Sequence, residues 1–311
     1  MITERMESIK NMNTEVTIAG IKFKNPVMTA SGTFGSGMEY SEFVDLSKLG
    51  GVVTKGVAKI PWSGNPTPRI AEVSCGMMNA IGLQNPGIDV FIERDIPFLQ
   101  QYDTNIIVNI CGKTIEDYCE VVEKLADIPI QMMEINISCP NVKEGGIAFG
   151  QDPKAVEQIT KEVKKCAKQP IIMKLSPNVT DIAVMARAAE AGGADAVSLI
   201  NTLTGMKIDI NRRTFAIANK TAGVSGPAIK PIAVRMVYEV AKAVKIPVIG
   251  MGGIVTAEDA LEFIMAGATA VAVGTANFIN PYATRDIIEG MEIFMKEQNV
   301  DDIYQLIGCV K

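Results

Sequence analysis

Eight short apolar runs constrain the fold of this 311-residue chain more than any other feature. Most are rich in β-branched residues and precede an amphipathic stretch, and they lie at residues 27–29, 51–54, 105–109, 132–136, 171–174, 196–200, 247–250 and 270–273. Strands that are apolar on both faces and alternate with helices predict a parallel sheet covered on both sides. Eight such units favour a closed (β/α)₈ barrel, the TIM barrel of the α/β class.

The segments between the runs contain helical patterns and two additions to the barrel. The predicted helices are residues 115–126, 153–167, 181–191, 229–244 and 257–266, with Asp152 and Thr180 as N-caps of the second and third. Residues 16–18 and 21–23 flank Ala19-Gly20 and predict an N-terminal hairpin that closes the barrel bottom. Residues 58–87 form a long insertion after the second strand, and its length favours a functional loop.

An open doubly wound sheet is the alternative architecture, and it requires a dinucleotide fingerprint after its first strand. The nearest match, Gly250-Met251-Gly252-Gly253, comes late in the chain and lacks the last glycine, because position 255 is Val. No linker or change in composition marks a boundary within the chain. We therefore predict that residues 1–311 form a single domain.

The chain contains no histidine, which excludes Ser-His and Cys-His dyads and imidazole metal ligands. Acid–base chemistry is therefore left to Cys, Lys, Asp, Glu or Tyr. The cysteines form no Cys-x-x-Cys pair, which argues against a zinc ribbon, a dithiol redox motif or an iron–sulfur site; they are Cys75, Cys111, Cys119, Cys139, Cys166 and Cys309. No metal site is predicted.

Charge and hydropathy indicate where the protein works. The net charge of −5 gives no basic surplus, so nucleic acid is not an expected partner. Residues 1–13 lack an apolar segment of the signal-peptide type, and no run approaches the roughly 18 apolar residues that span a bilayer. We therefore expect a cytoplasmic protein that does not interact with a membrane.

The carboxyl ends of the predicted strands are unusually polar, and this is the end where (β/α)₈ barrels assemble their active sites. In order, the residues at these ends are Ala30-Ser31-Gly32-Thr33, Thr54-Lys55-Gly56, Asn109, Asn136 to Cys139, Lys174-Leu175-Ser176, Asn201-Thr202, Gly252-Gly253 and Gly274-Thr275. Packing alone does not readily explain two lysines and three asparagines at equivalent positions. The pattern therefore predicts a ligand pocket.

The glycines after the seventh and eighth strands predict a phosphate site, because loops at these strands bind phosphate through backbone N–H groups. One Gly-Gly or Gly-Thr step is common in ordinary turns, but the two together, with Gly226 as a further close backbone approach, favour a phosphorylated ligand. Lys55 and Lys174 would favour an anion in the same pocket. Flavin mononucleotide (FMN) suits both features and supplies redox chemistry that the side chains lack.

Asn136-Ile137-Ser138-Cys139-Pro140-Asn141 starts at the last residue of the fourth run. A cysteine is more often a small buried hydrophobe than a reactive group. A packed position is not expected between two asparagines and a proline, however, so the context favours a functional thiol at the pocket rim. The glycine-containing stretch 142–150 is predicted to be a loop that closes over it.

Six segments together resemble the catalytic subunit of class 1B dihydroorotate dehydrogenases. They are Thr54-Lys55-Gly56, Met78 to Gly87, Asn136 to Asn141, Met173-Lys174-Leu175-Ser176-Pro177-Asn178, Gly250-Met251-Gly252-Gly253-Ile254 and Val273-Gly274-Thr275. The resemblance extends through the whole chain. It implies an FMN-containing (β/α)₈ enzyme of pyrimidine (UMP) synthesis that oxidises dihydroorotate to orotate.

The same resemblance implies individual roles. Cys139 would be the catalytic base that takes the C5 proton of dihydroorotate, while the C6 hydride passes to FMN. Implied substrate contacts are Asn79, Ala80, Ile81, Gly82, Leu83, Asn136, Asn201 and Thr202. Implied flavin contacts are Ser31, Lys55, Gly56, Asn109, Asn136, Lys174, Ile200, Gly226, Gly252, Gly253, Gly274 and Thr275.

The subclass determines the electron acceptor. Resemblance to class 1B implies NAD as the acceptor, reached through a partner subunit with FAD and a [2Fe-2S] cluster, in a heterotetramer around a homodimer of this chain. Class 1A enzymes, which share the cysteine and use fumarate, are the alternative, although residues 79–85 and 145–150 are more similar to class 1B. Class 2 enzymes have serine where this chain has Cys139. A flavin-binding barrel without turnover is the non-enzymatic alternative.

Overall fold

The computed structural model describes residues 12–138 and 146–310. Within these ranges the strands are β1 (Val16–Ile18), β2 (Ile21–Phe23), β3 (Val27–Thr29), β4 (Gly51–Val53), β5 (Ile70–Val73), β6 (Gly76–Asn79), β7 (Asn105–Ile110), β8 (Met132–Asn136), β9 (Ile171–Lys174), β10 (Ala196–Leu199), β11 (Leu203–Met206), β12 (Ile208–Asp209), β13 (Thr214–Phe215), β14 (Thr221–Ser225), β15 (Val248–Met251) and β16 (Ala270–Val273). The eight predicted runs form a closed parallel barrel in the order β3-β4-β7-β8-β9-β10-β15-β16. The predicted fold class is confirmed.

Helices follow the barrel strands in the connections of a (β/α)₈ fold. They are α1 (Ile88–Val90), α2 (Ile96–Leu99), α3 (Ile115–Leu125), α4 (Gly146–Gln151), α5 (Pro153–Cys166), α6 (Ile182–Ala191), α7 (Lys230–Ala243), α8 (Ala257–Met265), α9 (Ala276–Ile279) and α10 (Ala283–Glu297). A π-helical turn, Phe91–Asp95, joins α1 and α2, while two 3₁₀ turns, Tyr40–Glu42 and Leu46–Lys48, follow β3. Both faces of the barrel strands are therefore covered, which explains why their sequences are apolar throughout.

The helix starts agree with the predicted caps at one position and differ at another. Asp152 caps α5 by accepting a hydrogen bond from the backbone N–H of Ala155. The predicted cap Thr180 is wrong: Asp181 caps α6, because its carboxylate accepts from the N–H groups of Ala183 and Val184. A carboxylate at this position also complements the positive end of the helix dipole.

The predicted hairpin is confirmed, and it lies at the amino ends of the barrel strands. β1 and β2 pair antiparallel, with Thr17 opposite Lys22. The side-chain amide of Asn105, the first residue of β7, donates to the Lys22 carbonyl at 2.9 Å. Phe23 is fully buried, and its ring lies 3.2 Å from the point where a Cβ on Gly51 would stand. The hairpin therefore packs under the starts of β4 and β7.

The long insertion after β4 is not an isolated loop. Its strands β5 and β6 join β14 and β11 in a four-stranded antiparallel sheet in the order β11-β14-β6-β5. β11 and β14 belong to a second insertion, between β10 and α7, that the sequence analysis missed. Gly223 of β14 is paired with Asn79 of β6, so the two insertions are held together beside the carboxyl end of the barrel.

One further prediction concerns the stretch after β8. Residues 146–150 belong to the helix α4, so the predicted loop is wrong for this part. The other predicted loop residues, 142–145, lie outside the described residues. No helix in residues 12–138 or 146–310 is long and apolar enough to cross a membrane.

Candidate active site

A cleft opens at the carboxyl ends of the barrel strands, and about 1280 Å³ of empty space lies within it and its open mouth. Concave clefts of this kind are where proteins usually bind small molecules. Most of the predicted site residues line it: Ser31, Lys55, Gly56, Asn79, Ile81, Gly82, Leu83, Asn136, Lys174, Ile200, Asn201, Thr202, Gly226, Gly252, Gly253, Gly274 and Thr275. The fold therefore brings together residues indicated by the strand-end pattern and residues, such as Asn79 and Leu83, implied only by the family resemblance.

Two predicted residues are near the cleft without lining it. Asn109 is fully buried, and its side-chain oxygen accepts from the amide of Asn136 at 3.4 Å. A Cβ on Gly56 would stand 2.8 Å from that same oxygen, so Gly56 is the residue that lets the chain pass over Asn109. Ala80 is also fully buried, and its backbone N–H donates to the Arg69 carbonyl.

Cys139 lies outside the described residues, but the residue before it is tightly held. Both the backbone N–H and the hydroxyl of Ser138 donate to the side-chain oxygen of Asn136, at 3.2 and 3.0 Å. The amide nitrogen of Asn201 donates to the Ser138 hydroxyl oxygen at 2.8 Å and to its carbonyl at 3.2 Å. Two cleft-lining asparagines therefore fix the backbone from which Cys139 continues.

A buried ion pair stands at the floor of the cleft. The ammonium of Lys174 lies 3.6 Å from the carboxylate of Glu134, and the two side chains are 5% and 2% exposed. Lys174 also donates to the hydroxyl of Ser31 at 3.2 Å. Glu134 received no role from the sequence because it stands inside an apolar run. A single acidic residue in such a run does, however, indicate that it has a buried partner in the folded protein.

The loop carrying the predicted substrate contacts is built by two asparagines that received no role from the sequence. The side-chain amide of Asn65 donates to the Ala80 carbonyl at 3.1 Å. Asn65 also packs against Gly82, because a Cβ on Gly82 would stand only 2.7 Å from the Asn65 Cγ. Asn85 donates to the Leu83 carbonyl at 2.8 Å. Gly82 and Leu83 both have positive φ, of 74° and 54°. These contacts hold the turn that places Ile81, Gly82 and Leu83 in the wall of the cleft.

The Gly252-Gly253 step after β15 forms a close-packed cradle with Gly226, whereas Gly274 after β16 has only an ordinary contact with Ala30. Gly252, Gly253 and Gly226 have φ values of +125°, +83° and +101°, a region that L residues rarely adopt. A Cβ on Gly253 would stand 2.7 Å from the Cβ of Lys230, 2.9 Å from its backbone nitrogen and 3.0 Å from the Gly226 carbonyl. The start of α7, at Lys230, therefore packs directly against Gly253.

Two further residues complete the wall near this cradle. The Thr275 hydroxyl donates to the hydroxyl of Ser225 at 2.8 Å, and Ser225 also lines the cleft. Asn178 donates to the Thr202 carbonyl at 3.0 Å and accepts from the Thr204 N–H at 2.9 Å. Asn178 belongs to one of the six segments that carry the family resemblance, but its supporting role cannot be predicted from residue type alone, and Ser225 received no role from the sequence.

The thiols of Cys119 and Cys166 belong to the barrel exterior. Cys119 lies on α3 and Cys166 ends α5. Burial raises the pKa of the Cys119 thiol to about 12, and a hydrogen bond to Cys166 adds to the effect. Cys119 therefore stays protonated at neutral pH, as expected of a packed thiol.

Comparisons with known proteins agree with the geometry. The family model described as dihydroorotate dehydrogenase matches residues 13–295. The "dihydroorotate dehydrogenase B (NAD(+)), catalytic subunit" of Lachnoclostridium phytofermentans is 72% identical over 300 residues, covering 96% of this chain and 100% of that protein. The protein of the same name from Alkaliphilus metalliredigens is 65% identical over 299 residues, covering 96% and 99%. Among solved structures, DHODH from Eimeria tenella in complex with ferulenol matches with a TM-score of 0.81 and 22% identity, covering 97% of this chain and 89% of that one, which supports the fold.

Proposed function

The chain belongs to the dihydroorotate dehydrogenase family, and we propose that its cleft holds FMN beside dihydroorotate and oxidises the substrate to orotate. It is an NAD-linked dihydroorotate dehydrogenase B catalytic subunit, an oxidoreductase of pyrimidine biosynthesis. The observation that carries the site assignment is the position of Lys55, Lys174 and the three-glycine cradle in one cleft at the carboxyl end of the barrel.

The residues present fit an FMN. Gly226, Gly252 and Gly253 leave no room for side chains, so their backbone could approach a phosphate closely. Thr275 and Ser225 add hydroxyl groups at the same wall. Lys174 brings an ammonium to the floor, which favours negative charge in the bound ring. Bound there, FMN would supply the acceptor for a hydride.

The oxidation removes a proton from C5 and a hydride from C6 of dihydroorotate, and the ring gains a C5–C6 double bond. We propose Cys139 as the base, because it directly follows Ser138, whose backbone Asn136 and Asn201 fix at the cleft. A thiol with an ordinary pKa near 8.5 accepts a proton once it is ionised. The chain offers no histidine for this task.

The substrate contacts follow from the same geometry. Asn79, Asn136, Asn201 and Thr202 line the cleft, and amide and hydroxyl groups suit the donor and acceptor edges of a pyrimidine ring. The backbone of residues 80–83 is held open by Asn65 and Asn85. We propose that the N–H groups of residues 81–83 receive the substrate carboxylate, since charge-assisted hydrogen bonds of this kind are short and strong. The Ala80 N–H is already bonded to the Arg69 carbonyl.

The relatives are named catalytic subunits of an NAD-linked enzyme, which implies a partner subunit and NAD as acceptor. We propose that the partner carries FAD and a [2Fe-2S] cluster, since this sequence has neither a dinucleotide fingerprint nor paired cysteines. We also propose a single 311-residue domain, a cytoplasmic location and a heterotetramer around a homodimer. The names of the relatives favour NAD over fumarate as the acceptor.

The test is an absorbance spectrum of the purified chain under anaerobic conditions. We expect a yellow protein that dihydroorotate bleaches, and whose colour NAD restores only when the partner subunit is present. Recovery with fumarate in the absence of the partner would indicate the class 1A alternative. A colourless protein would contradict the flavin site, and a yellow protein that dihydroorotate does not bleach would indicate a barrel without turnover.

A further inference from the structure

Glu134 is the buried acid that the mechanism above does not use. It lies on β8, two residues before Asn136, so both side chains project to the same face of the strand. Its side chain is 2% exposed. A charge buried to this extent is unfavourable unless it is paired and hydrogen-bonded. The hydrogen-bond and ion-pair partners of Glu134 therefore indicate which residues its carboxylate orients.

The two strands that pair with β8 and one strand beyond them supply those contacts. One carboxylate oxygen accepts from the hydroxyl of Ser198 on β10 at 2.7 Å. The other accepts from the amide of Asn109 on β7 at 2.5 Å and lies 3.6 Å from the ammonium of Lys174 on β9. Both oxygens thus face donors only, which is the environment of an ionised carboxylate.

These contacts reach the cleft by two routes. Lys174, which lines the cleft, stands between Glu134 and the hydroxyl of Ser31. The side-chain amide nitrogen of Asn109 donates to Glu134. The side-chain oxygen of Asn109 therefore faces Asn136 and Gly56, two other residues that line the cleft. The acid therefore controls the orientation of the groups at the cleft floor from behind it.

We propose that Glu134 is a positioning residue whose carboxylate orients Lys174 and Asn109 and sets the net charge that the cleft floor presents to a bound flavin. The proposal rests on the FMN site proposed above. Apolar residues of similar size at both positions 134 and 174 would often be no less stable, because buried ion pairs commonly return little net free energy. The retained pair is therefore better explained by its electrostatic effect on the ligand.

The expected effect has a definite sign. The carboxylate partly cancels the charge of Lys174, so its neutralisation leaves the floor more positive and favours the reduced, more negative flavin. Glu134→Gln keeps the size and a hydrogen-bonding oxygen. In this variant we expect the ratio of reduced to oxidised flavin at a fixed solution potential to rise on the order of tenfold, which corresponds to about 30 mV for a two-electron couple.

The experiment is an anaerobic redox titration of the flavin-loaded chain against a reference dye, read by absorbance at pH 7. Ser198→Ala is the matched control, because it removes a hydrogen bond to the same carboxylate and keeps both charges. We expect its ratio to stay within about twofold of wild type while its melting temperature falls, because the variant loses a buried hydrogen bond. An unchanged ratio in Glu134→Gln, or an equal shift in Ser198→Ala, would overturn the proposal.

A second comparison applies if Glu134→Gln does not fold. Lys174→Met leaves the acid unpaired, whereas Glu134→Gln combined with Lys174→Met removes both charges, a change that buried pairs often tolerate. The double variant should have the higher ratio of reduced to oxidised flavin, and equal ratios would overturn the proposal. A wild-type chain without flavin would instead refute the FMN site itself, so the two failures are distinguishable.

Discussion

The side-chain amide of Asn201 donates hydrogen bonds to both the hydroxyl and the carbonyl oxygen of Ser138, at 2.8 and 3.2 Å. Asn201→Asp replaces this donor with an oxygen and sets it against two acceptors. Losing such a contact costs about 1–3 kcal/mol, so we expect flavin reduction by dihydroorotate to slow about tenfold or more. Stopped-flow absorbance measures this rate, and flavin content should not change.

The same substitution at an exposed asparagine is the control for that experiment. Asn211 lies in the turn between β12 and β13, where it is exposed. Asn211→Asp should reduce flavin at the wild-type rate. Equal rates for wild type and Asn201→Asp would show that the tether to Ser138 does not affect the chemistry.

Cys139→Ala tests the proposed base. The variant should stay yellow, because the flavin cradle is formed by other residues, but its reduction by dihydroorotate should slow by about 10²- to 10⁴-fold, the usual contribution of a general base. Cys139→Ser should fall between, since serine is a poorer base near neutral pH. Cys309→Ala, at an exposed thiol, is the control; a wild-type rate in Cys139→Ala would refute the assignment.

Gly253→Ala tests the phosphate cradle. At this glycine φ is +83°, and the new Cβ would stand 2.7 Å from the Lys230 Cβ. We expect the start of α7 to shift and the affinity for FMN to fall at least tenfold, measured by fluorescence titration of the flavin-free chain.

Gly20→Ala separates backbone strain from the clash. Gly20 has nearly the same φ, +82°, but no atom lies within 4 Å of its would-be Cβ in the hairpin turn. Gly20→Ala should lower the free energy of unfolding by about 1 kcal/mol, because alanine is strained at positive φ, and it should leave the affinity for FMN unchanged. If both variants weaken FMN binding equally, the cradle is not where the phosphate binds.

Asp259 provides a pH-dependent prediction. Burial alone raises the pKa of its carboxyl, but hydrogen bonds from Lys230 and from the N–H groups of Val255 and Thr256 outweigh burial and hold the pKa below its ordinary value. The stabilisation is therefore fully present above the unfolded-state pKa of about 3.9 and is lost as pH falls through the lower folded-state pKa. Asp259→Asn should lower the unfolding free energy by about 1–3 kcal/mol at pH 7.

Urea unfolding from pH 7 down to pH 3 measures this difference, which should narrow below about pH 4. Glu262→Gln is the control, because Glu262 pairs with the same lysine but its side chain is 50% exposed. Surface pairs of this kind are worth about 0–1 kcal/mol. A difference for Asp259→Asn that does not change with pH would contradict the ionic origin of the stabilisation.

The barrel could be predicted from the sequence because each strand is covered on both faces and therefore appears as a short apolar run. β11 and β14 could not be predicted in this way. Both strands are partly exposed. β11 pairs with β14 of the same insertion, whereas β14 also pairs with β6, which lies far away in the first insertion. Neither hydropathy nor turn residues specify such a pairing.

The site was predictable where residue type and strand position coincide, as for Lys174 and Asn136. It was not predictable where a residue acts through a partner from another strand. Glu134 meets Lys174, Asn109 and Ser198 only because the barrel closes, so its role depends on contacts that no local pattern records. The N-cap of α6 shows the same limit on a small scale, since Thr180 and Asp181 are both good capping residues.

The pairing of β6 with β14 has a consequence for how the protein is made. Asn79 reaches its place opposite Gly223 only after the ribosome has synthesised the second insertion. A nascent chain that stops before β14 therefore lacks the strand against which β6 is aligned, however many barrel strands have already formed. The wall of the cleft that contains Asn79 is therefore completed only after residues 221–225 have been synthesised, when β15 and β16 are still to come.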